Sequence, residues 1–293
     1  MKNIIKKIIY MLLSDKLYIK LRYRYRMNKK LNLKFPKTFN EKLQWLKLYD
    51  RNPKYTKMVD KYEAKEYISN IIGEEYIIPT IGIYDKFDDI DFESLPNKFV
   101  LKCTHDSGGV VICKDKKNID LVAIKKKINK CLKRNYYNFG REWPYKNIKP
   151  QIIAEEYIED DNEEDLKDYK IFCFNGKPQF ILVCSNRNGV FKNTDFYDIK
   201  WNLMPFTREN RTNNPKGIEK PNKLEEMLNI SKKLSKDIPF VRVDLYEVNE
   251  KVYFGELTFY PSSGFEGFQP EEYDKILGDM IKLPKKGNWI QND

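Results

Sequence analysis

The 293-residue chain contains a single histidine, His105, and that scarcity removes two kinds of chemistry at once. Without a second imidazole there is no His-based metal site and no serine–histidine–aspartate relay. Five cysteines (Cys103, Cys113, Cys131, Cys173, Cys184) are odd in number and form no C-x-x-C pair. They argue against a disulfide framework and against zinc, and they fit a reducing cytoplasm. Long apolar runs are missing too. The longest, Ile8 to Leu13, has six residues, against the roughly 20 that a membrane-spanning helix needs. The basic start (Lys2, Lys6, Lys7) is followed by neither a long apolar stretch nor a small-residue cleavage site, which argues against a signal peptide. Neither glycine signature for phosphate, G-x-x-x-x-G-K-[ST] or G-x-G-x-x-G, occurs.

What is present suffices for a folded body. Apolar residues make up 41% of the chain, with 17 Phe, 20 Tyr and 4 Trp, so a sizeable core can form and disorder is disfavoured. The net charge of +11 suggests a phosphate-bearing partner until it is located. Residues 1–37 hold twelve Lys/Arg and one acid, Asp15, and the remaining 256 residues hold 42 basic and 42 acidic side chains. The excess is therefore an N-terminal property on a neutral body. Residues 2–13 read as an amphipathic helix, and a second helical stretch near 15–31 interleaves Leu17, Leu21, Tyr23 and Tyr25 with Lys and Arg. Two readings stay open: a helical hairpin packed on the body, or an interfacial segment over residues 1–31 lying on an anionic inner leaflet. No helix-turn-helix spacing or ribonucleoprotein-type motif supports a nucleic-acid partner.

Along the body, Thr38-Phe-Asn-Glu41 is a capping box ahead of a helix to about Tyr49. Further helices are expected over 56–70, 118–138, 222–236 and 270–282. Strands are expected at 77–78, 82–84, 99–102, 110–113, 152–157, 169–174, 179–184, 196–200, 240–246 and 251–258. Most strand pairs are joined by hairpins, which predicts an α+β fold with antiparallel sheets.

Three constellations carry chemistry. Residues 98–113 (KFVLKCTHDSGGVVIC) set Lys102 beside a loop of His105, Asp106, Ser107, Gly108 and Gly109, where backbone N–H groups could close on phosphate or simply form a turn. Residues 152–158 (IIAEEYI) end an apolar strand on Glu155, Glu156 and Tyr157, either a strand end or an adenine-recognising edge. Residues 242–265 place Arg242 and Asp244 on one strand face and Glu256 on the next strand. That arrangement is either a cross-strand ion pair or a convergence on a hard cation such as Mg²⁺.

The order of these features resembles the ATP-grasp superfamily, and more closely its TupA-like branch of the teichuronopeptide-biosynthesis type. The resemblance is carried by KFPKTFNEKLQWLKLYDRNP (34–53), DKYEAKEYI (60–68) and FGELTFYPSSGF (254–265). It implies two α+β subdomains gripping ATP over residues 56–285, with about 75–155 as the covering subdomain. A basic helical region over 1–55 precedes them and a short tail over 286–293 follows. It also implies that Lys61 and Lys102 bind phosphate under the 106–109 loop with His105 nearby, and that Glu155, Glu156 and Tyr157 form the adenine hinge. Asp168 would bind ribose, and Lys200 nucleotide or product. Asp244 and Glu256 would hold magnesium, with two ions expected, and Arg242 would lie near the transferred phosphate. Thr258 stands where an Asn or acid would be the third metal ligand.

The activity so implied is carboxylate–amine ligation, joining an amino acid or other amine to a uronic-acid carboxylate of a cell-surface glycan or its lipid-linked precursor. The expected location is cytoplasmic, peripheral to the membrane's inner face. A sugar kinase on the same ATP site, and a non-catalytic adaptor with a vestigial site, are the alternatives.

Overall fold

The computed structural model describes residues 13–160, 166–185 and 193–286. The helix expected over 2–13 lies, apart from Leu13, outside the described residues, as do residues 161–165 and residues 287–293 of the tail.

Four helices open the described chain. Helix α1 (Asp15–Met27) is capped by Ser14, whose hydroxyl accepts from Leu17 N, and it ends at Asn28 in a left-handed conformation, shorter than the expected 15–31. Helix α2 (Phe39–Tyr49) begins with the expected box: Glu41 N donates to Thr38 Oγ1 at 3.2 Å, and the Glu41 carboxylate accepts from Thr38 N at 3.3 Å. The single helix expected over 56–70 is instead two, α3 (Lys54–Val59) and α4 (Glu63–Ile72). The break has a local cause. Asp60 Oδ1 accepts from both Tyr62 N (2.8 Å) and Glu63 N (2.9 Å), so its carboxylate satisfies the free donors of a new helix. Lys61 N then donates to Thr104 O at 3.1 Å, fixing the break against the neighbouring sheet.

The first sheet has four antiparallel strands: β1 (Thr80–Tyr84), β2 (Phe99–Cys103), β3 (Val110–Cys113) and β4 (Ile152–Glu156), in the order β1-β4-β2-β3. Ile77-Ile78, expected as strand, precedes β1 without joining the ladder. The stretch expected as one helix over 118–138 is α5 (Leu121–Leu132), capped by Asp120, followed by the short turn α6 (Tyr137–Gly140). The second sheet comprises β5 (Asp168–Phe174), β6 (Lys177–Ser185), β7 (Asn193–Asp198), β9 (Phe240–Val248) and β10 (Lys251–Thr258), in the order β10-β9-β5-β6-β7, all antiparallel. Two-residue strands β8 (Thr207–Arg208) and β11 (Phe268–Gln269) pair separately. Helices α7 (Leu224–Leu234) and α8 (Glu272–Met280) complete the α+β fold.

Two cores follow from this division. The smaller packs α5 on the four-stranded sheet through Phe99, Leu101, Ile128, Ile152 and Ala154. The larger centres on Phe172, Phe180, Phe196 and Phe240 and takes in α1 to α4 as well. Phe39 meets the Phe240 ring edge-on at 4.9 Å, so α2 is anchored in the same apolar mass as the second sheet. The cleft between the two sheets is where the polar side chains gather.

Candidate active site

From the first sheet, the β2–β3 hairpin carries the loop His105–Gly109. Gly108 has φ +103, a conformation that costs a Cβ-bearing residue energy, and no atom lies within 4 Å of where its Cβ would be. Gly109 is instead packed close, 3.1 Å from Cys131 Sγ at the Cβ position. The break between α3 and α4 brings Lys61 to this loop, where Nζ donates to Asp106 O at 2.5 Å. Lys61, Lys102, Ser107 and Gly108 line the cleft together.

One helical turn after Lys61, Lys65 lies 2.5 Å from Glu155 Oε1, and Lys102 lies 2.5 Å from Glu155 Oε2. Register explains the second pair: β4 runs beside β2, opposing Val100 to Glu155. Glu155 is buried; burial works against its ionisation, but Lys102 and Lys65 outweigh it and hold the carboxyl below its ordinary value. The Glu155 carboxylate is thus a counterion to two lysines. Glu156 and Tyr157 line the outer part of the same cleft with Ile78, Val100 and Tyr246, and Lys114 Nζ stands 5.9 Å from the Tyr157 ring centroid.

The second sheet contributes the carboxylates. Antiparallel register opposes Glu256 to Asp244 and Thr258 to Arg242, and on the other side opposes Lys170 to Asp244. A bulge at Gly255 makes this possible. A Cβ there would fall 2.9 Å from Tyr246 and 3.0 Å from Asp244 O, so the close strand approach requires glycine. Arg242 grips Asp244 with two bonds of 2.6 Å (Nε to Oδ1, Nη2 to Oδ2) and reaches Thr258 Oγ1 at 3.0 Å and Glu256 Oε1 at 3.4 Å. Lys170 Nζ lies 2.6 Å from Asp244 Oδ2 and also pairs with Asp168. Burial pushes the Asp244 carboxyl above its ordinary value, against the pull of Arg242 and Lys170.

These oxygens suit a hard cation. Asp244 Oδ2, Glu256 Oε1 and Thr258 Oγ1 all face one cationic nitrogen, Arg242 Nη2, which marks a point where positive charge is favoured. Among the described residues no group of three His, Cys, Asp or Glu side chains is placed to hold a metal alone. Mg²⁺ commonly takes one or two carboxylates and completes its shell with water and phosphate, so this donor set fits it.

Three expected site residues stand apart. His105 is buried, with Nε2 3.0 Å from Arg134 O, and burial lowers its pKa. It supports the loop from beneath and does not line the cleft. The Asp106 side chain is likewise buried and paired with Arg134, so only its carbonyl meets Lys61. Lys200 lies on the exposed turn after β7, which ends at Asp198, two residues short of the strand expected over 196–200; its N–H donates to Asp198 Oδ1 at 2.8 Å. It is not brought to the cluster.

Several participants were not anticipated. Lys65 could have been found from its i, i+4 spacing to Lys61, and Lys170 from the period-2 alternation that sets it on one face with Asp168. Lys47 gave no such sign. It is fully buried in α2, and its Nζ donates to Gly140 O (2.8 Å) and Ser263 O (2.7 Å), while burial pulls its pKa down to about 7. Ser263 Oγ also donates to Glu142. Lys47 thereby ties the α6 turn to the segment Pro261–Gly264, in which Ser262 and Ser263 have φ of 50° and 54°.

Among solved structures, the chain resembles D-alanine–D-alanine ligase from Bacillus anthracis complexed with ATP, at 20% identity and a TM-score of 0.44, over 76% of this chain and 64% of that one. It also resembles the ATP-grasp ligase PsnB complexed with minimal precursor, Mg and ADP (8%, 0.41, over 75% and 57%) and the VanG D-Ala:D-Ser ligase from Enterococcus faecalis (12%, 0.39, over 74% and 53%). The chain spans less than two thirds of the length of each of these three. No curated protein matches it. The family model for TupA-like ATP-grasp proteins matches residues 41–282, a span that holds both sheets and every cleft residue described above. The chain belongs to the TupA-like ATP-grasp family.

Proposed function

We propose that the protein is an ATP-dependent carboxylate–amine ligase working in the cleft between the two sheets. The observation that supports this best is the arrangement of opposed charge. Lys61, Lys65 and Lys102 stand on one side with the Gly108 loop, and Arg242, Asp244, Glu256 and Thr258 stand on the other. In this reading Lys61, Lys102, Ser107 and the 106–109 backbone hold the ATP phosphates. Tyr157 and the chain at Glu155–Glu156 meet the adenine, and Asp168 meets the ribose. Asp244, Glu256 and Thr258 would hold Mg²⁺, which would neutralise charge on the phosphoryl group.

The acceptor carboxylate attacks the γ-phosphorus, forming an acyl phosphate and releasing ADP. The amine nitrogen then attacks the acyl carbon, phosphate leaves, and the nitrogen gives up a proton. In this reading Arg242 steadies the transferring group, and the chain's contribution is positioning and charge rather than proton transfer by an imidazole. The acceptor in this reading is a uronic-acid carboxylate of a cell-envelope glycan or its lipid-linked precursor, and the amine an amino acid.

Incubation with ATP, Mg²⁺, uronic-acid acceptors and amino acids, followed by mass spectrometry, tests this reading. An amide formed one-for-one with ADP is expected. ADP with a stable phosphorylated sugar would replace the ligase with a kinase, and no nucleotide turnover or binding would leave an adaptor.

A further inference from the structure

Helix α1 is half embedded. Tyr18, Ile19 and Tyr23 are buried against the body, and Tyr18 OH donates to Phe139 O at 3.0 Å, so the helix is fixed in place. Its outward arc carries Leu17, Leu21 and Tyr25 at i, i+4, i+8, with relative exposures of 45%, 49% and 86%. Exposed Lys20 and Arg24 share that arc, and exposed Lys16 borders it. The following loop adds Phe35, 64% exposed.

Apart from Asp15, the charge carried by α1 is of one sign, and the exposed Glu271 beside the following loop is paired with Lys29. Asp15, the single acid in residues 1–37, is drawn inward: Arg51 approaches it at 3.4 Å and Arg141 at 3.6 Å, and Tyr137 OH donates to it. Among the described residues, none of Lys16, Lys20, Arg24 and Arg26 is paired with a carboxylate. No helix among the described residues is long and apolar enough to cross a membrane.

We propose that the outward arc of α1 is a docking face for an anionic lipid bilayer. The protein would lie on the surface with Leu17, Leu21 and Tyr25 at the headgroup boundary and Lys16, Lys20 and Arg24 against lipid phosphates. Charge complementarity selects a polyanion, and the apolar stripe selects a bilayer over nucleic acid, because phosphate backbones need no exposed leucines. The inference is independent of the ligase reading, since it uses no cleft residue.

Flotation of the full chain with phosphatidylcholine vesicles, with and without roughly one-quarter phosphatidylserine, tests it. Binding to the anionic vesicles only is expected, with loss as salt rises from about 0.1 to 0.5 M. Leu17→Asp/Leu21→Asp and, separately, Lys20→Glu/Arg24→Glu should each lower partitioning about tenfold or more, with melting temperature and nucleotide turnover unchanged. The charge-reversal pair alters only exposed side chains, so it serves if the leucine pair fails to fold. Equal binding to neutral vesicles, undiminished binding by the charge-reversal pair, binding to duplex DNA but not vesicles, or a dimer that sequesters Leu17 and Leu21 would each overturn the proposal.

Discussion

Lys170 Nζ lies 2.6 Å from Asp244 Oδ2, and the Arg242 guanidinium meets that same oxygen at 2.6 Å. One buried carboxylate therefore accepts from two cations on adjacent strands. Removing a partner from a buried charge group leaves the others uncompensated. Lys170→Met should destabilise the fold by about 3 kcal/mol, measured by urea unfolding. A change within experimental error would show that Arg242 alone satisfies Asp244.

The Gly108 backbone gives a cleaner test of the loop, because steric crowding is absent there. With φ at +103 and open space around the Cβ position, Gly108→Ala acts through backbone conformation alone. In Gly108→Ala the free loop is expected to relax away from this φ and to be forced back into it on binding, so a cost of about 1.4 kcal/mol would appear as roughly tenfold weaker ATP binding by calorimetry. Unchanged affinity would mean that the loop does not close on the nucleotide.

His105 can be followed directly, since its imidazole is the only one in the chain. Burial lowers its pKa, so its proton magnetic resonance signal should titrate below pH 6.5. The unfolded chain then takes up the proton first as pH falls. Stability from this group is present above pH 6.5 and is lost as pH drops toward the folded value. His105→Gln should remove that part of the acid sensitivity. A midpoint above 6.5 would instead place a carboxylate against the ring.

Much of the fold was legible because its signals are local. The Thr38–Glu41 box, the alternation Arg242–Asp244 and the Ser-Gly-Gly hairpin each lie within a few residues, where capping, strand period and turn chemistry act. The antiparallel α+β architecture follows from those hairpins. The break at Asp60 was not legible, since an Asp within an apolar helical period reads as a solvated side chain until it is seen to cap Tyr62 and Glu63. Lys47 was less so. Its partners Gly140 and Ser263 lie 93 and 216 residues away, and nothing in the pattern around it marks a lysine turned inward. His105 stayed open between a nucleotide contact and a turn-stabilising role for a related reason: being in the loop does not say which side of the loop the ring takes, and the ring takes the buried side.

The central claim is that the opposed lysines and carboxylates bind Mg·ATP. Calorimetric titration of ATP, with and without Mg²⁺, into the wild-type protein and Glu256→Gln tests it most directly, because Glu256 reaches the cluster from an accessible position on β10 (its side chain is 46% exposed). ATP should bind more tightly with Mg²⁺ in the wild-type protein, and most of that gain should vanish in Glu256→Gln while metal-free binding persists. An equal Mg²⁺ dependence in both proteins would contradict it.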